Sequence, residues 1–528
     1  MTKKILQRLR GYTSRYSFLR VLNQIGFYET TSVSCMTGHE LEPNERRLIN
    51  TEFAFLVGLW LDNYYDESEM WAPSMDNVVM SRIYYLMNEY HKSIDLKDYG
   101  SRHMEVSMYE GDGAYQWQYV DLVQYKYESS IDQLQNIGYY PLVVQSLFNK
   151  VFDLFQSRVI SVLESDEKGL PTTKNLFVFT QNELRAILTD EEWSTLSCFV
   201  IKLGENVSQK LNSIAAFYPY LEKPIIALND GRYFIPNFYI FAKALNESPF
   251  YWIGSFTNAN VLLSKIGYAN ENIIYQLLSR LEKVFIAKDI VLSKGNKDVT
   301  DIDVFLAFET DVFIFQVKSK KLTLKSQGGD RESIKSDFEK AVLDPYKQGI
   351  QCIEELPNCK TTKDLLYSPE CKFHLICVTG DYYPTLNATA CEYQLTTTLQ
   401  YPIIAMSVYD IECITYLFDS TKTREYLLFR EKCTTLKVYA DNESLYIGKF
   451  IMLEIDPEEP AVERGEHLPR DYGILMDYFI QCTRARHIQT NAFSHFQELI
   501  EDDKSPLLNN VAIVSHSIRS KNRVFYNI

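Results

Sequence analysis

Two neighbouring strand-like runs in the sequence carry side chains that could do chemistry. Thr300–Phe308 and Val312–Lys318 are rich in β-branched and aromatic residues. Asp303 interrupts the first run, and Gln316 and Lys318 interrupt the second. A carboxylate can bind a metal ion, and a lysine can stabilise developing negative charge. A buried ion pair between Asp303 and Lys318 is the alternative interpretation, because charges in apolar strands must be paired or used.

The short connection between the two runs predicts an antiparallel hairpin. A turn centred between residues 309 and 310 places Asp303 opposite Gln316, and a turn centred one residue later places it opposite Lys318. Gln316 and Lys318 share a face because the strand period is two residues. Either turn therefore brings all three side chains together, whereas a shift of one residue would separate them.

A predicted helix upstream of the hairpin offers a further carboxylate. Glu271–Phe285 has apolar residues at helical spacing, and Glu271 lies at the edge of the apolar stripe. With Asn270 as the cap, Glu271 could instead be a first-turn carboxylate favoured by the helix dipole. Glu282 is the competing carboxylate on the same helix.

Downstream of the hairpin, the chain is basic and then helical. Lys318–Lys325 is followed by two predicted helices, Glu332–Leu343 and Pro345–Leu356, with Asp344 as the cap of the second. Gln348 lies on the second helix. Strands around 373–378 and 401–408 and a helix at 409–417 complete the pattern. Such alternation predicts an α/β layer over residues 256–425.

The remaining chain divides into two flanking regions. Residues 1–255 are expected to be mostly helical. Residues 426–528 are expected to form a small α+β region, with strands around Leu436–Tyr439 and Leu445–Met452 and a helix around Ile474–Gln481.

The order of elements in residues 256–425 resembles the PD-(D/E)XK nuclease superfamily. The pattern is most similar to Mrr-type restriction endonuclease-like domains, in which Gln can replace the acidic residue before x-Lys. The resemblance implies an α/β fold with a three-layer α/β/α restriction-endonuclease-like core. That core would lie between the large, mostly helical N-terminal region and the small α+β C-terminal region.

The resemblance also implies a role for each polar residue. Asp303 and Glu271 would bind Mg²⁺ (or Mn²⁺), with the Gln316 side chain or the Val317 carbonyl completing the shell. Lys318 would orient the attacking water or the scissile phosphate. The neutral Gln316 removes one anionic ligand of the usual pattern.

Further residues depart from the pattern or extend it. Ile302 stands in the place of the Pro of the motif, and Asp301 could partly compensate for the neutral glutamine. Gln348 of the helix and three lysines of the basic run would contact substrate phosphates. The lysines are Lys320, Lys321 and Lys325, and a solvated charge run without a function is the alternative interpretation for them.

The function implied is metal-dependent hydrolysis of phosphodiester bonds, with DNA as the expected nucleic acid. By analogy with large chains of this kind, restriction or anti-phage defence is the expected setting. The N-terminal region would then sense a trigger, bind a partner defence protein or drive homo-oligomerisation. The alternative is a catalytically inactive nuclease fold that serves as a nucleic-acid-binding or assembly module.

Composition sets limits on these interpretations. The 528-residue chain has a net charge of −15, so a nucleic-acid-binding face would have to be locally basic. The ten cysteines form no CxxC pair, and neither a secretory signal nor an apolar run of bilayer length is found, so we expect a cytoplasmic protein without a membrane partner. Cys371, His374 and Cys377 are interpreted as strand packing, with a zinc site as the alternative.

Overall fold

The computed structural model describes most of the chain. The described residues are 2–31, 48, 50–65, 71–98, 115–164, 175–205, 211–214, 216, 218–323, 326, 331–383, 386–440, 442–456, 458–468, 471–485 and 488–495. They fall into two compact units, the first from 1–110 and 119–259 and the second from 111–118, 260–326 and 330–528. The expected boundary at 255/256 lies four residues from this division. The described residues after 425 belong to the second unit with those of 260–425.

The first unit is mixed α/β, with many helices and one small sheet. Its helices are α1 Thr2–Tyr12, α2 Phe18–Thr31, α3 Asn50–Asn63, α4 Asp76–Asp98, α5 Tyr115–Asp121, α6 Val123–Lys126, α7 Ile131–Asn136, α8 Val144–Glu164, α9 Gln181–Ile187, α10 Asp190–Ser197, α11 Pro219–Glu222 and α12 Phe238–Gly254. Its strands are β1 Val178–Thr180, β2 Val200–Lys202, β3 Ile225–Ala227 and β4 Arg232–Phe234, in the order β1-β4-β3-β2. The helix α5 crosses from one unit's residues into the other's.

The second unit contains the residues of chemical interest. Its helices are α13 Ala259–Leu278, α14 Arg331–Phe338, α15 Asp344–Glu355, α16 Leu386–Thr396, α17 Val408–Leu417, α18 Ser420–Thr435, α19 Glu443–Ile455 and α20 Asp471–Ala485. Its strands are β5 Phe285–Lys294, β6 Lys297–Ala307, β7 Asp311–Lys318, β8 Lys360–Thr361, β9 Lys372–Thr379 and β10 Ile404–Ser407. None of the helices in the described part of the chain is long and apolar enough to cross a membrane.

One mixed sheet of six strands organises this unit, in the order β10-β9-β7-β6-β5-β8. The strands β5, β6 and β7 form an antiparallel meander, whereas β9 and β10 run parallel to β7. The helix α15 packs across β6, β7 and β9. Its Tyr346 and Ile353 join strand residues such as Ile314 and Leu375 in one apolar core. Every residue of β7 except Lys318 is buried.

The hairpin prediction is confirmed in its first form. The strands β6 and β7 pair from Ala307 opposite Val312 to Val304 opposite Phe315. Their turn is therefore centred between residues 309 and 310. Continuing the register by one residue places Asp303 opposite Gln316.

Two helix predictions around the hairpin are wrong in their bounds. The upstream helix is α13, which begins at Ala259 and ends at Leu278, so Asn270 and Glu271 lie in its interior rather than at its start. The apolar stripe begins earlier than expected, with Leu262 and Ile266 buried. Phe285, expected in this helix, instead begins β5, a strand that the sequence analysis did not predict.

The downstream helix pair is one continuous run. A π-helical segment, Glu339–Leu343, joins α14 to α15, and both Leu343 and Asp344 have right-handed helical dihedral angles, so Asp344 is no cap. Pro345 provides the reason. Its ring would clash with the carbonyl four residues earlier in a regular α-helix, and the wider π turn accommodates it.

The strand predictions after residue 425 are also wrong. Leu445–Met452 belongs to the helix α19, whose residues from Glu443 to Met452 are all buried. A helix buried on every side has a continuous apolar run and no amphipathic period, so its sequence mimics a buried strand. The segment Leu436–Tyr439 contains a turn and one isolated bridge from Tyr439 to His467.

A buried ionic network holds the start of β7. His374 of β9 lies between Glu431 and Asp311, at 2.5 and 3.0 Å from their carboxylate oxygens, and its ring stacks on Phe313. The Arg424 guanidinium donates to the same Asp311 carboxylate. Burial by itself would lower the pKa of His374, but the hydrogen bonds and charges of Glu431 and Asp311 raise it above its usual value. The imidazole is thus an ionic partner in the fold and not part of a zinc site.

We predict that His374→Gln lowers the free energy of unfolding by about 1–3 kcal/mol, because two carboxylates lose a charged donor. A raised pKa means that the stabilisation by His374 is complete below the unfolded-state pKa of about 6.5 and is lost as pH rises through the folded-state pKa. Thermal melts at pH 6 and pH 9 measure this. The gap in Tm between wild type and variant should be larger at pH 6, and a gap that is equal or larger at pH 9 would contradict the ionic role.

A candidate cation and phosphate site at the open end of the central hairpin

The backbone ladder between β6 and β7 gives way to side-chain hydrogen bonds at one end. Beyond Val304 and Phe315, the Asp303 Oδ2 accepts the Val317 N–H at 2.6 Å. Across from it, the Gln316 Nε2 donates to the Asp301 carbonyl at 3.0 Å. Each of these two bonds gives a backbone group at the opening a side-chain partner. The strands can therefore separate here without leaving those groups unpaired.

Gln316 is fully enclosed at this opening, with 1% of its surface exposed. Its Nε2 makes a second contact, with the Cys352 Sγ of α15 at 3.3 Å. Within the described part of the chain, no donor lies within hydrogen-bonding distance of its Oε1. A buried amide oxygen that lacks a partner is unfavourable, so this atom has a free coordination position for a cation or a donor.

Two carboxyl groups at the opening have strongly shifted pKa values. Burial raises the pKa of Asp303 to about 7; the Val317 N–H opposes the shift, and the charges of Glu271 and Asp301 add to it. Burial also raises the pKa of Glu271 to about 7, and the charges of Asp289 and Asp301 add to it. The Lys318 ammonium acts in the opposite direction on both groups. The charge of Lys318 thus acts on both carboxyl groups, and that of Glu271 acts on Asp303.

Lys318 is held at the rim of the site by its backbone. It is the exposed last residue of β7, and its carbonyl accepts the Gly380 N–H at 3.0 Å. A Cβ on residue 380 would lie 1.9 Å from the Asn270 Nδ2, which donates to the Ser319 Oγ. A side chain at residue 380 would therefore displace the Asn270 amide from its hydrogen bond with Ser319.

The residues expected to contact substrate have other partners in the structure. Gln348 donates to the Asp301 Oδ1 at 2.9 Å, so it holds a carboxylate of the site. The Lys320 Nζ lies 2.8 Å from the buried Asp337 carboxylate. The remaining two are Lys321, whose Nζ lies 3.9 Å from the Asp381 carboxylate, and Lys325, which lies outside the described residues.

Two residues of this region were not singled out from the sequence, and a third, Asn270, was considered only as a helix cap. Asp289 lies on the strand β5, which was not predicted. Cys352 contacts the Asp301 carbonyl at 3.1 Å, and Asn270 approaches Gly380. The two short apolar runs on either side of Lys288 and Asp289, Phe285–Ala287 and Ile290–Leu292, are the sequence signal that indicated β5, and with it Asp289.

The donor set suits a hard divalent cation, although it is not assembled around one point. Carboxylate and amide oxygens are ligands that Mg²⁺ accepts, and the partnerless Gln316 Oε1 is one of them. Among the residues that the structure describes, no group of three or more His, Cys, Asp or Glu side chains is arranged to hold a metal ion. Binding would therefore require Glu271 and Asp303 to turn toward a common position, and a cation there would offset the burial and the repulsion that raise their pKa values.

Comparisons with known proteins add nothing to this description. No family model, no curated protein and no solved structure matches the chain.

We predict that Asp303→Asn stabilises the protein above neutral pH in the presence of a chelator. A raised carboxyl pKa means that the associated stability is complete below the unfolded-state value, near 4, and is lost as pH rises through the folded-state value of about 7. Asparagine keeps the acceptor for the Val317 N–H and removes the charge. The gain in Tm over wild type should be greater at pH 8 than at pH 5, with about 2–4 °C for each kcal/mol of relief.

The matched control is Asp298→Asn, which changes an exposed aspartate at the other end of β6. Its effect on Tm should not change in the same direction between pH 5 and pH 8. If Asp303→Asn gave no greater gain at pH 8 than at pH 5, the carboxyl group would not be under electrostatic strain.

Proposed function

We propose that this chain is a metal-dependent nuclease that hydrolyses phosphodiester bonds, with DNA as the substrate. The observation that carries the proposal is the open end of the β6–β7 hairpin. There Asp303 accepts the Val317 N–H between Gln316 and Lys318, and the charges of Glu271 and Lys318 act on the pKa of Asp303. Titratable groups with strongly shifted pKa values, beside a partnerless polar atom, are typical of functional sites.

The order of elements supports a restriction-endonuclease-like α/β/α core as part of this proposal. The helix that carries Glu271 precedes an antiparallel meander of three strands. The continuous run of α14 and α15, which carries Gln348, then leads to the parallel strands β9 and β10. This is the sequence of elements on which the resemblance to the PD-(D/E)XK superfamily rests, now with β5 added.

The residues of the site have separable tasks in such a reaction. Mg²⁺, when bound, would neutralise charge that develops on the phosphate oxygens. Glu271, Asp303 and the Gln316 Oε1 would hold the cation through oxygen atoms. Lys318, exposed at the end of β7, would bind the scissile phosphate and stabilise its growing negative charge. Gln348 would fix the Asp301 carboxylate and so shape the edge of the site.

The acidic composition shapes how substrate would approach. With a net charge of −15, most of the protein repels a polyanion, so attraction must come from local lysines. Lys318 is the exposed candidate in the site, whereas Lys320 and Lys321 have acidic neighbours that reduce their net attraction. A role in restriction or anti-phage defence, and a partner or second copy bound through the first unit, belong to the same proposal by analogy.

Cleavage by single variants tests the proposal. Asp303→Asn and Lys318→Ala should each lower the rate of Mg²⁺- or Mn²⁺-dependent cleavage by roughly 10²-fold or more, because one removes cation charge balance and the other removes charge stabilisation. Cleavage of duplex and single-stranded DNA and of RNA is measured together with thermal melting. Lys297→Ala, an exposed lysine at the start of β6, is the matched control and should cleave normally.

The outcome separates catalysis from a structural ion pair. Inactive variants that melt like the wild type, or higher, support catalysis. Variants that both melt early, a double variant that recovers, and a wild type that cleaves none of the substrates would together refute it. The inactive scaffold, favoured by the structural hydrogen bonds of Gln316, would then be the better function.

Gln316→Glu tests whether this residue stands in place of a ligand. The new carboxylate is expected to tighten metal binding and to preserve or raise cleavage. It also loses the donor to the Asp301 carbonyl and adds charge beside Asp303, so the variant should melt below the wild type in chelator and recover with metal. Gln351→Glu, at an exposed position of the helix α15, is the control for added negative charge. Loss of cleavage in a folded Gln316→Glu variant would contradict the ligand role.

A further inference from the structure

We propose that Asp289 is a third carboxylate of the cation site and supplies the negative charge that the neutral Gln316 does not. The proposal rests on the proposed function, because it concerns the cation of the same site. Since no three acidic side chains of the described residues are arranged around a metal ion, Asp289 would have to turn toward the cation together with Glu271 and Asp303. The sequence pattern contains only Glu271, Asp303 and the glutamine at this position. The strand β5, absent from the predicted fold, brings a further acidic side chain to the opening of the hairpin.

Strand register puts Asp289 beside Asp303. The strands β5 and β6 pair at Lys288 with Val304 and again at Ile290 with Ile302. Asp289 lies between these pairs and so stands opposite Asp303. Asp303 in turn lies opposite Gln316 in the continued register of β6 and β7. Asp289 and Gln316 therefore flank Asp303 on its two neighbouring strands.

The backbone at Asp289 departs from strand geometry. Its φ is +53°, in the left-handed region, although the residue lies in the middle of a ten-residue strand. A residue with a Cβ adopts this conformation at a cost, and such departures are concentrated at functional sites. The departure changes the direction of an exposed side chain, while the register with β6 is the same immediately before and after it.

The neighbouring lysine pairs with this carboxylate without a hydrogen bond. The Lys288 Nζ forms an ion pair with the Asp289 Oδ2 at 3.6 Å, a distance beyond that of a hydrogen bond. The same Nζ donates to the Asn272 Oδ1 at 2.9 Å and lies 4.8 Å from the centre of the Tyr268 ring. Lys288 is thus shared with α13, and a divalent cation would compete with it for the Asp289 carboxylate.

Asp289 is also the stronger candidate when compared with Asp301. The Asp301 carboxylate accepts a hydrogen bond from Gln348 at 2.9 Å, and that bond fixes one of its oxygens. Among the residues that the structure describes, no such hydrogen bond from α15 holds Asp289, whose position on β5 is opposite Asp303.

An independent feature points to a cation among these groups. The Gln316 Oε1 is buried and has no hydrogen-bond partner in the described part of the chain, while its Nε2 is bonded to the Asp301 carbonyl of the same opening. Once the neighbouring carboxyl groups are ionised, they carry no proton that could be donated to this oxygen in a hydrogen bond. A divalent cation would satisfy it and the carboxylates together.

The experiment measures Mn²⁺ and Mg²⁺ binding to the full chain by calorimetry and by metal-dependent shifts of Tm. Asp289→Asn should weaken Mn²⁺ binding roughly tenfold or more. Asparagine tolerates the left-handed conformation as aspartate does, and Asp289→Gly adopts it freely, so both variants keep the fold and should lose affinity alike. Asp298→Asn, on the neighbouring strand β6, should bind metal like the wild type.

A double variant tests the compensation itself. Adding Gln316→Glu to Asp289→Asn returns one negative charge to the other side of Asp303, so affinity should recover most of the way to the wild type. Unchanged affinity in Asp289→Asn overturns the inference, as does a double variant that remains as weak as the single.

The result also separates this inference from the proposed function. If Asp289→Asn weakens binding, the double variant recovers and no nucleic acid is cleaved, the cation site stands and the nuclease proposal falls. If the wild type cleaves in a metal-dependent way and Asp289→Asn binds metal normally, the nuclease proposal stands and this inference falls. If the wild type binds no divalent cation by either method, both fall.

Discussion

The strand β7 has no face toward solvent, and the second unit is built around that constraint. It pairs with β6 on one side and with β9 on the other, and every residue before Lys318 is buried. Polar side chains in such a strand must find partners inside the protein. Asp311 finds them in His374 and Arg424 at the beginning of the strand. At the other end Gln316 finds only half of them, because its Nε2 is bonded and its Oε1 is not.

The two ends of β7 therefore differ in whether their charged side chains are matched by opposite charges. At Asp311 opposite charges are matched, and the pKa of that carboxyl is held below its usual value by its hydrogen bonds despite burial. At the open end, burial and neighbouring negative charge raise the pKa of Asp303 and of Glu271 to about 7. Pairing at one end stabilises the sheet, whereas unbalanced charge at the other is tolerated only if the protein gains something from it. We propose a divalent cation, with a phosphate group beside it, as the ligand of that end.

The sequence predicts the centre of this arrangement well and its edges poorly. The hairpin and its register follow from local properties, namely apolar runs of strand length and a short turn, and the structure confirms them. The strand β5 was missed because its residues mix polar and apolar types, and a strand next to the edge strand β8 needs less apolar sequence than a central one. Because β5 was not predicted, the position of Asp289 opposite Asp303 was not predicted either. The helix α19 was taken for a strand because burial on every side erases the amphipathic period.

The side-chain network of the site was beyond reach of the sequence for a different reason. Spacing brings Asp303, Gln316 and Lys318 to one place, but it cannot show that Gln348 bonds to Asp301 or that Lys320 pairs with Asp337. Those contacts depend on how α14 and α15 cross the sheet, and the π-helical turn before Pro345 sets that path. The polar residues that were selected from the sequence by residue type alone therefore fall into two groups. Some lie at the site, and others form contacts that stabilise the fold.

The most direct measurement of the central claim is a crystal structure of the chain grown with Mn²⁺, with anomalous diffraction used to locate the ion. The account predicts an anomalous peak at the open end of the β6–β7 hairpin, at about 2.0–2.2 Å from carboxylate oxygens of Asp303 and Glu271. The Gln316 Oε1 should turn toward the same ion. Well-ordered Asp303 and Glu271 side chains at millimolar Mn²⁺ with no peak between them, or a peak only elsewhere on the protein, would contradict it.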